Sequence, residues 1–241
     1  IIVAMHIAQQ LYGAHRVRML FFSEVFMEEY GAFYYAALKN ELNVIRCAGT
    51  VRDDAFIFQH LSRSNDRMHH SSIDPTTWEK LKLGNDNAIV DSELMRNFAD
   101  RYGEKWHRSK RNHPNTQIVD VQQARQRLGI SNGRKVVVVY SHILYDTLFF
   151  FGTDLFKDYA IWLVETTRAA IANPRLDWLI KVHPSNLWRG ELDTLLKGRY
   201  EEEQLLEAEF GTLPAHVRII PAETPINPFT WFQLADYGIT V

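Results

Sequence analysis

The tract Trp178-Leu179-Ile180-Lys181-Val182-His183-Pro184-Ser185-Asn186 carries an ammonium and an imidazole to the end of an apolar run. Leu179, Ile180 and Val182 suit a strand covered on both faces. Pro184 ends it, having no N–H to give to a ladder. His183 is therefore expected just past the carboxyl end of a strand, the edge at which open α/β sheets bind ligands. In a regular strand Lys181 and His183 would share a side. Hydrogen-bond donors placed there suit an anion, above all a departing phosphate whose charge grows in a transition state. The plainer account is a His-Pro turn beside a solvated lysine.

Other residues of fitting type follow other expected strands. Lys135 to Tyr140 reads as the clearest buried strand, and Ser141, His142 and Asp146 lie in the loop after it. A hydroxyl and an imidazole suit phosphates there, and Asp146 suits orienting a histidine or binding a hydroxyl. A loop with capping polar groups would use the same residues. Glu223, Thr224 and Asn227 follow the strand 217–220 and suit contacts to a base or ribose, or else cap a helix. Glu28 and Glu29, with Glu24 a weaker candidate, follow an apolar strand at 17–22. A carboxylate there suits a general base for an acceptor hydroxyl, Glu29 being favoured by its place before Tyr30-Gly31. An acidic first helical turn would place the same glutamates. Asp53, Asp54, His60, His69 and His70 show neither helical His spacing beside a carboxylate nor any Cys cluster, so no metal is expected. No P-loop and no Gly-x-Gly-x-x-Gly run occurs, which sets aside kinase and dinucleotide chemistry.

The elements that must hold these residues alternate. Ile1, Met5, Ala8, Leu11 and Tyr12 have helical spacing up to Gly13. The strand 17–22, a helix over 32–40 and a strand at 44–47 form a unit of the kind that builds parallel sheets. Residues 50–75 read as a mobile polar surface segment with one short helix. Asp74 and Pro75 start a helix, and another covers 87–108 with Ile89, Leu94, Phe98 and Tyr102 as its stripe. Lys110 to Asn115 is the linker candidate. Beyond it come a helix at 120–128, the strand 135–140, a helix at 154–172 capped by Asp154, the His183 strand, an acidic helix at 191–209, the strand 217–220, a helix at 227–235 and a strand at 237–241.

The chain has 241 residues, 46% hydrophobic and 23% charged, within the range of a globular protein of one or two domains. A net charge of −2 argues against a dominant nucleic-acid surface. The single cysteine, Cys47, rules out an internal disulfide and fits a reducing compartment. No apolar run approaches the roughly 18 residues of a membrane span. The start, Ile1-Ile2-Val3-Ala4-Met5, lacks an initiator Met and a basic region, so a secretory signal is not expected. Asp236 to Val241 reads as a strand in progress. Truncation at both ends is the expectation.

Three stretches resemble bacterial capsule and surface polysaccharide biosynthesis proteins, glycosyltransferases of the two-Rossmann GT-B type. They are Tyr140-Ser141-His142-Ile143-Leu144-Tyr145-Asp146, Trp162-Leu163-Val164-Glu165-Thr166, and Ile180-Lys181-Val182-His183-Pro184. Glu29-Tyr30-Gly31 with Ala36-Ala37-Leu38 is similar to the family's acceptor-domain loop and helix. The resemblance implies an α/β fold of two Rossmann-like domains with parallel sheets. It sets an acceptor-side domain at 1–112 and a nucleotide-sugar donor domain at 117–241, the latter incomplete. It implies transfer of a sugar from a nucleotide-sugar co-substrate to a glycan or glycolipid acceptor, without metal or other cofactor. Glu29 or Glu28 would act as base with His183 at the leaving phosphate, and Lys181, His183, Ser141, His142, Asp146, Glu223 and Asn227 would bind the donor. The implied place is the cytoplasm, peripheral to the inner membrane, within a capsule-assembly complex. A sugar-nucleotide epimerase of similar fold, and a non-catalytic assembly partner, remain the alternatives.

Overall fold

A computed structural model describes residues 2–23, 28–49, 55–69, 72–73, 75–82, 87–102, 115–131, 133–144, 155–186 and 199–240. By packing, the chain divides into two units, with the division between Ala88 and Ile89. Of the expected linker Lys110 to Asn115, all but Asn115 lies outside the described residues. The division falls one turn or less into the helix Asn87–Tyr102, most of which lies in the second unit.

The first unit opens with α1 (Ile2–Ala14), β1 (Met19–Phe22), α2 (Glu28–Lys39) and β2 (Asn43–Gly49). α1 runs through Gly13, where a stop was expected, and α2 begins at Glu28 rather than at 32. β1 and β2 pair in parallel, Leu20 opposite Val44. One sheet face packs on α2: Tyr34, Ala37 and Leu38 meet Val44 and Leu61, with Leu20 and Phe22 alongside. Residues 50–75 depart from expectation. Phe56–Leu61 forms a third strand, β3, antiparallel to β2. A parallel partner would need a crossover of a dozen or more residues, and only residues 50–55 separate the two strands. The three-stranded sheet, ordered β1-β2-β3, is therefore mixed and not wholly parallel. Its second face carries exposed Met19, Phe21, Phe56 and Phe58. Arg46 is buried on the covered face, where its guanidinium donates to Gln59 Oε1 and to the Met68 carbonyl. This bond ties the 62–69 turn to the sheet. α3 (Pro75–Lys82) follows; its expected cap, Asp74, lies outside the described residues.

The second unit contains α4 (Asn87–Tyr102), α5 (Val121–Arg127), β4 (Val136–Tyr140), α6 (Tyr159–Ile171), β5 (Asp177–Lys181), α7 (Glu201–Phe210), β6 (Val217–Ile220), α8 (Pro228–Leu234) and β7 (Tyr237–Ile239). Leu94, part of the expected α4 stripe, is exposed. Asp120 caps α5, its carboxylate accepting from Gln122 N, and Gly129 with φ of 60° ends the turn after it. α6 begins at Tyr159, not at 154. Asp158 is its cap, accepting from Ile161 N at 2.7 Å, and Leu155 ahead of it is exposed. Of the expected acidic helix, the described part is α7.

β4, β5, β6 and β7 form one parallel sheet in the order β6-β5-β4-β7. Strand side chains alternate between faces. Val136, Val138 and Leu179 face Ala124 of α5 and Trp231 and Leu234 of α8. Val137, Val139, Trp178 and Ile180 face Trp162, Leu163 and Ala170 of α6 and Leu206 of α7. The chain steps from β4 to β5 to β6 with its helices on one face. It then returns past both strands to the far side of β4, with α8 on the opposite face. Right-handed crossovers require that change of face when the direction of stepping reverses. The sheet is doubly wound, and its switch point lies between β4 and β7. Among the described residues no helix is long and apolar enough to cross a membrane.

Candidate functional site

The carboxyl ends of β4 and β5 bring three of the expected residues together, Ser141, His142 and His183. Ser141 follows β4 directly and is buried; its N–H donates to the Lys181 carbonyl at 3.1 Å, which continues the ladder past the strand. Its hydroxyl donates to Glu202 Oε1 at 3.1 Å and accepts the N–H of His183, also at 3.1 Å. Val182 N–H donates to the Ile220 carbonyl, so the start of the His183 turn is held between its neighbours on both sides.

The turn is closed from within. Asn186 N–H donates to the His183 carbonyl at 3.1 Å, and Ser185 N–H donates to His183 Nδ1 at 3.2 Å. A ring nitrogen that accepts from an amide carries no proton, so neutral His183 holds its proton at Nε2. His142 has the other tautomer: its Nδ1 faces the Ile143 carbonyl at 3.3 Å, and a carbonyl can only accept. The two imidazoles stack with centroids 6.0 Å apart and planes 28° apart, and His142 also lies 4.3 Å from the Tyr159 ring at the start of α6. Both histidines are half-buried.

Lys181 stands apart from this pair. Only 9% of it is exposed, and Nζ donates to the carbonyls of Val182, Pro221 and Ala222 at 3.2, 3.2 and 3.3 Å. All three ammonium protons are thus engaged, and the side chain turns to the loop after β6 instead of toward His142. Burial pushes its pKa down to about 8, against the pull of the Glu223 and Glu202 carboxylates. Glu202 has no exposed surface and accepts from both Ser141 and Asn186, the latter at 2.8 and 3.0 Å. Burial raises its pKa, and the bonds from its own N–H, Ser141 and Asn186 draw it back down.

The remaining expected residues have local work. Glu223 accepts from the Tyr200 hydroxyl. Thr224 donates to the Pro221 carbonyl at 2.7 Å. Asn227 is buried; its Oδ1 accepts from Phe229 N at 3.0 Å as the cap of α8, and its amide donates to Thr116 Oγ1 at 3.4 Å. Glu28 and Glu29 fall in the first turn of α2, in the first unit. Asp146 and Glu24 lie outside the described residues, as do Asp53, Asp54 and His70. His60 Nε2 lies 3.2 Å from Asn43 Oδ1, and burial beside Arg46 lowers the pKa of His69. Among the described residues no three His, Cys, Asp or Glu side chains gather as a metal site.

Glu202, Asn186 and Tyr159 were not among the expected site residues. Glu202 is one of three consecutive glutamates, and nothing in that run marks which of them turns inward. Comparison with protein-family models, with curated proteins and with solved structures found no match to this chain.

Proposed function

We propose that this protein is a glycosyltransferase that moves a sugar from a nucleotide-sugar donor to a capsular or surface polysaccharide or glycolipid acceptor. The observation that carries the proposal is the stacked pair His142 and His183, delivered by adjacent parallel strands to the carboxyl edge of a doubly wound sheet. Ligands bind such sheets at that edge and beside the switch point, here flanked by β4. His183 offers Nε2–H to a phosphate oxygen, and the His142 ring stacks beside it. A donor aimed at the leaving phosphate counts most when charge gathers there in the transition state.

In this scheme Glu29 or Glu28 takes the acceptor proton, and the donor site needs neither metal nor other cofactor. Asp146 binds a sugar hydroxyl or orients a histidine, and Ser141 supports the rim from beneath. The work is placed in the cytoplasm, at the inner face of the membrane, beside a capsule-assembly complex. The test is transfer by the complete protein. His183→Ala is expected to lower turnover about 100-fold or more while the fold stays intact, the usual cost of removing one such donor. Transfer at the parental rate would overturn the assignment. An arm without acceptor separates the epimerase alternative, since epimerisation proceeds without one. Absence of nucleotide-sugar binding by calorimetry would favour a non-catalytic role.

A further inference from the structure

We infer that Glu202 is the positioning residue of this rim, a carboxylate that holds His183 in place and in one ring tautomer through Ser141 and Asn186. It cannot touch a ligand, because it has no exposed surface. Its action is through two arms. A hydroxyl has one proton, and Ser141 spends it on Glu202. Toward the rim the Ser141 oxygen is then an acceptor, and it takes the N–H of His183 at 3.1 Å. The other arm is Asn186, whose side-chain amide donates to both carboxylate oxygens while its backbone N–H donates to the His183 carbonyl. Both backbone polar groups of His183 are therefore tied to residues that Glu202 holds. Ser185, lying between those anchors, gives the N–H that keeps Nδ1 an acceptor and the proton on Nε2.

A carboxylate suits this place better than its amide. Both neighbours present donors, and a carboxylate only accepts, whereas Gln would set an NH2 against the Asn186 NH2 unless that amide flips. The ligand arm of the test rests on the proposed anion site; the tautomer arm does not. The complete protein, with 15N-labelled histidine, is compared with Glu202→Gln, Glu202→Ala and Ser141→Ala. The His183 ring is followed by long-range 1H–15N correlation, and inorganic pyrophosphate binding by calorimetry. The parent is expected to show the Nε2–H form alone. Glu202→Ala and Ser141→Ala are expected to mix the two tautomers and to weaken pyrophosphate binding by about tenfold, with Glu202→Gln between them and the parent. An unchanged tautomer in folded Glu202→Ala would overturn the inference. If that variant does not fold, an unchanged tautomer in Ser141→Ala overturns it instead. Failure of the parent to bind pyrophosphate counts against the donor site, while the ring spectra still decide the role of Glu202.

Discussion

Lys181 and Glu202 are two buried charges that act on different loops. Lys181 gathers the carbonyls after β6, and Glu202 gathers the residues after β4 and β5. The lysine was expected to meet an anion, yet its protons are already engaged. Its depressed pKa makes a prediction with a definite sign. Between about pH 8 and 10.5 the unfolded chain holds a proton on Lys181 that the folded chain has released. Stability rises with pH wherever the unfolded state binds more protons. The cost of burying the charge is thus full below pH 8 and is gone above 10.5. Relative to Lys181→Met, the parent should gain about 3 kcal/mol across that window. Urea unfolding of both proteins at pH 7.5, 9 and 10.5 measures it, and a difference that stays flat would refute the shift.

At the scale of elements, α8 is fastened to the stretch ahead of α5. Thr230 is fully buried; its hydroxyl donates to the Val119 carbonyl at 3.0 Å and accepts the Val119 N–H at 3.1 Å. This pairing, with the bridge between Gln117 and Ile226, secures the stretch ahead of α5 to the helix covering the sheet. Thr230→Val keeps the shape but strands a buried N–H and C=O. An unsatisfied buried group costs about 1–3 kcal/mol. The expected loss is therefore at least that much by chemical denaturation, with the far-ultraviolet spectrum unchanged. A variant as stable as the parent would show that the Val119 groups find other partners.

For the molecule as a whole, the strand order decides where a ligand should act. The order β6-β5-β4-β7 places the switch point beside β4, so His142 stands nearer to it than His183 does. Titration with a nucleoside diphosphate should shift the amide signals of 141–144, His183, Ser185 and Asn186. Those at the opposite ends of the strands, Lys135, Leu176, His216 and Asp236, should stay still. Shifts concentrated at that opposite edge would refute the site. The first unit differs in kind: its sheet is mixed, and one face is exposed and aromatic.

The sequence by itself marked β4 and β5 of the second unit, because Val136 to Tyr140 and Trp178 to Val182 are apolar runs bounded by turn residues, and each such run encodes its own local structure. It also placed Ser141 and His183 just past two strand ends. β3 was hidden because Phe56, Phe58 and His60 alternate with partly or fully buried positions inside a polar neighbourhood, and its pairing with β2 is a contact no local pattern carries. The turn of Lys181 away from His142, the inward choice of Glu202 from three glutamates, and the strand order were decided only by tertiary structure. Burial and donor–acceptor matching depend on which distant groups arrive at the same place, and a residue's type alone does not specify its neighbours.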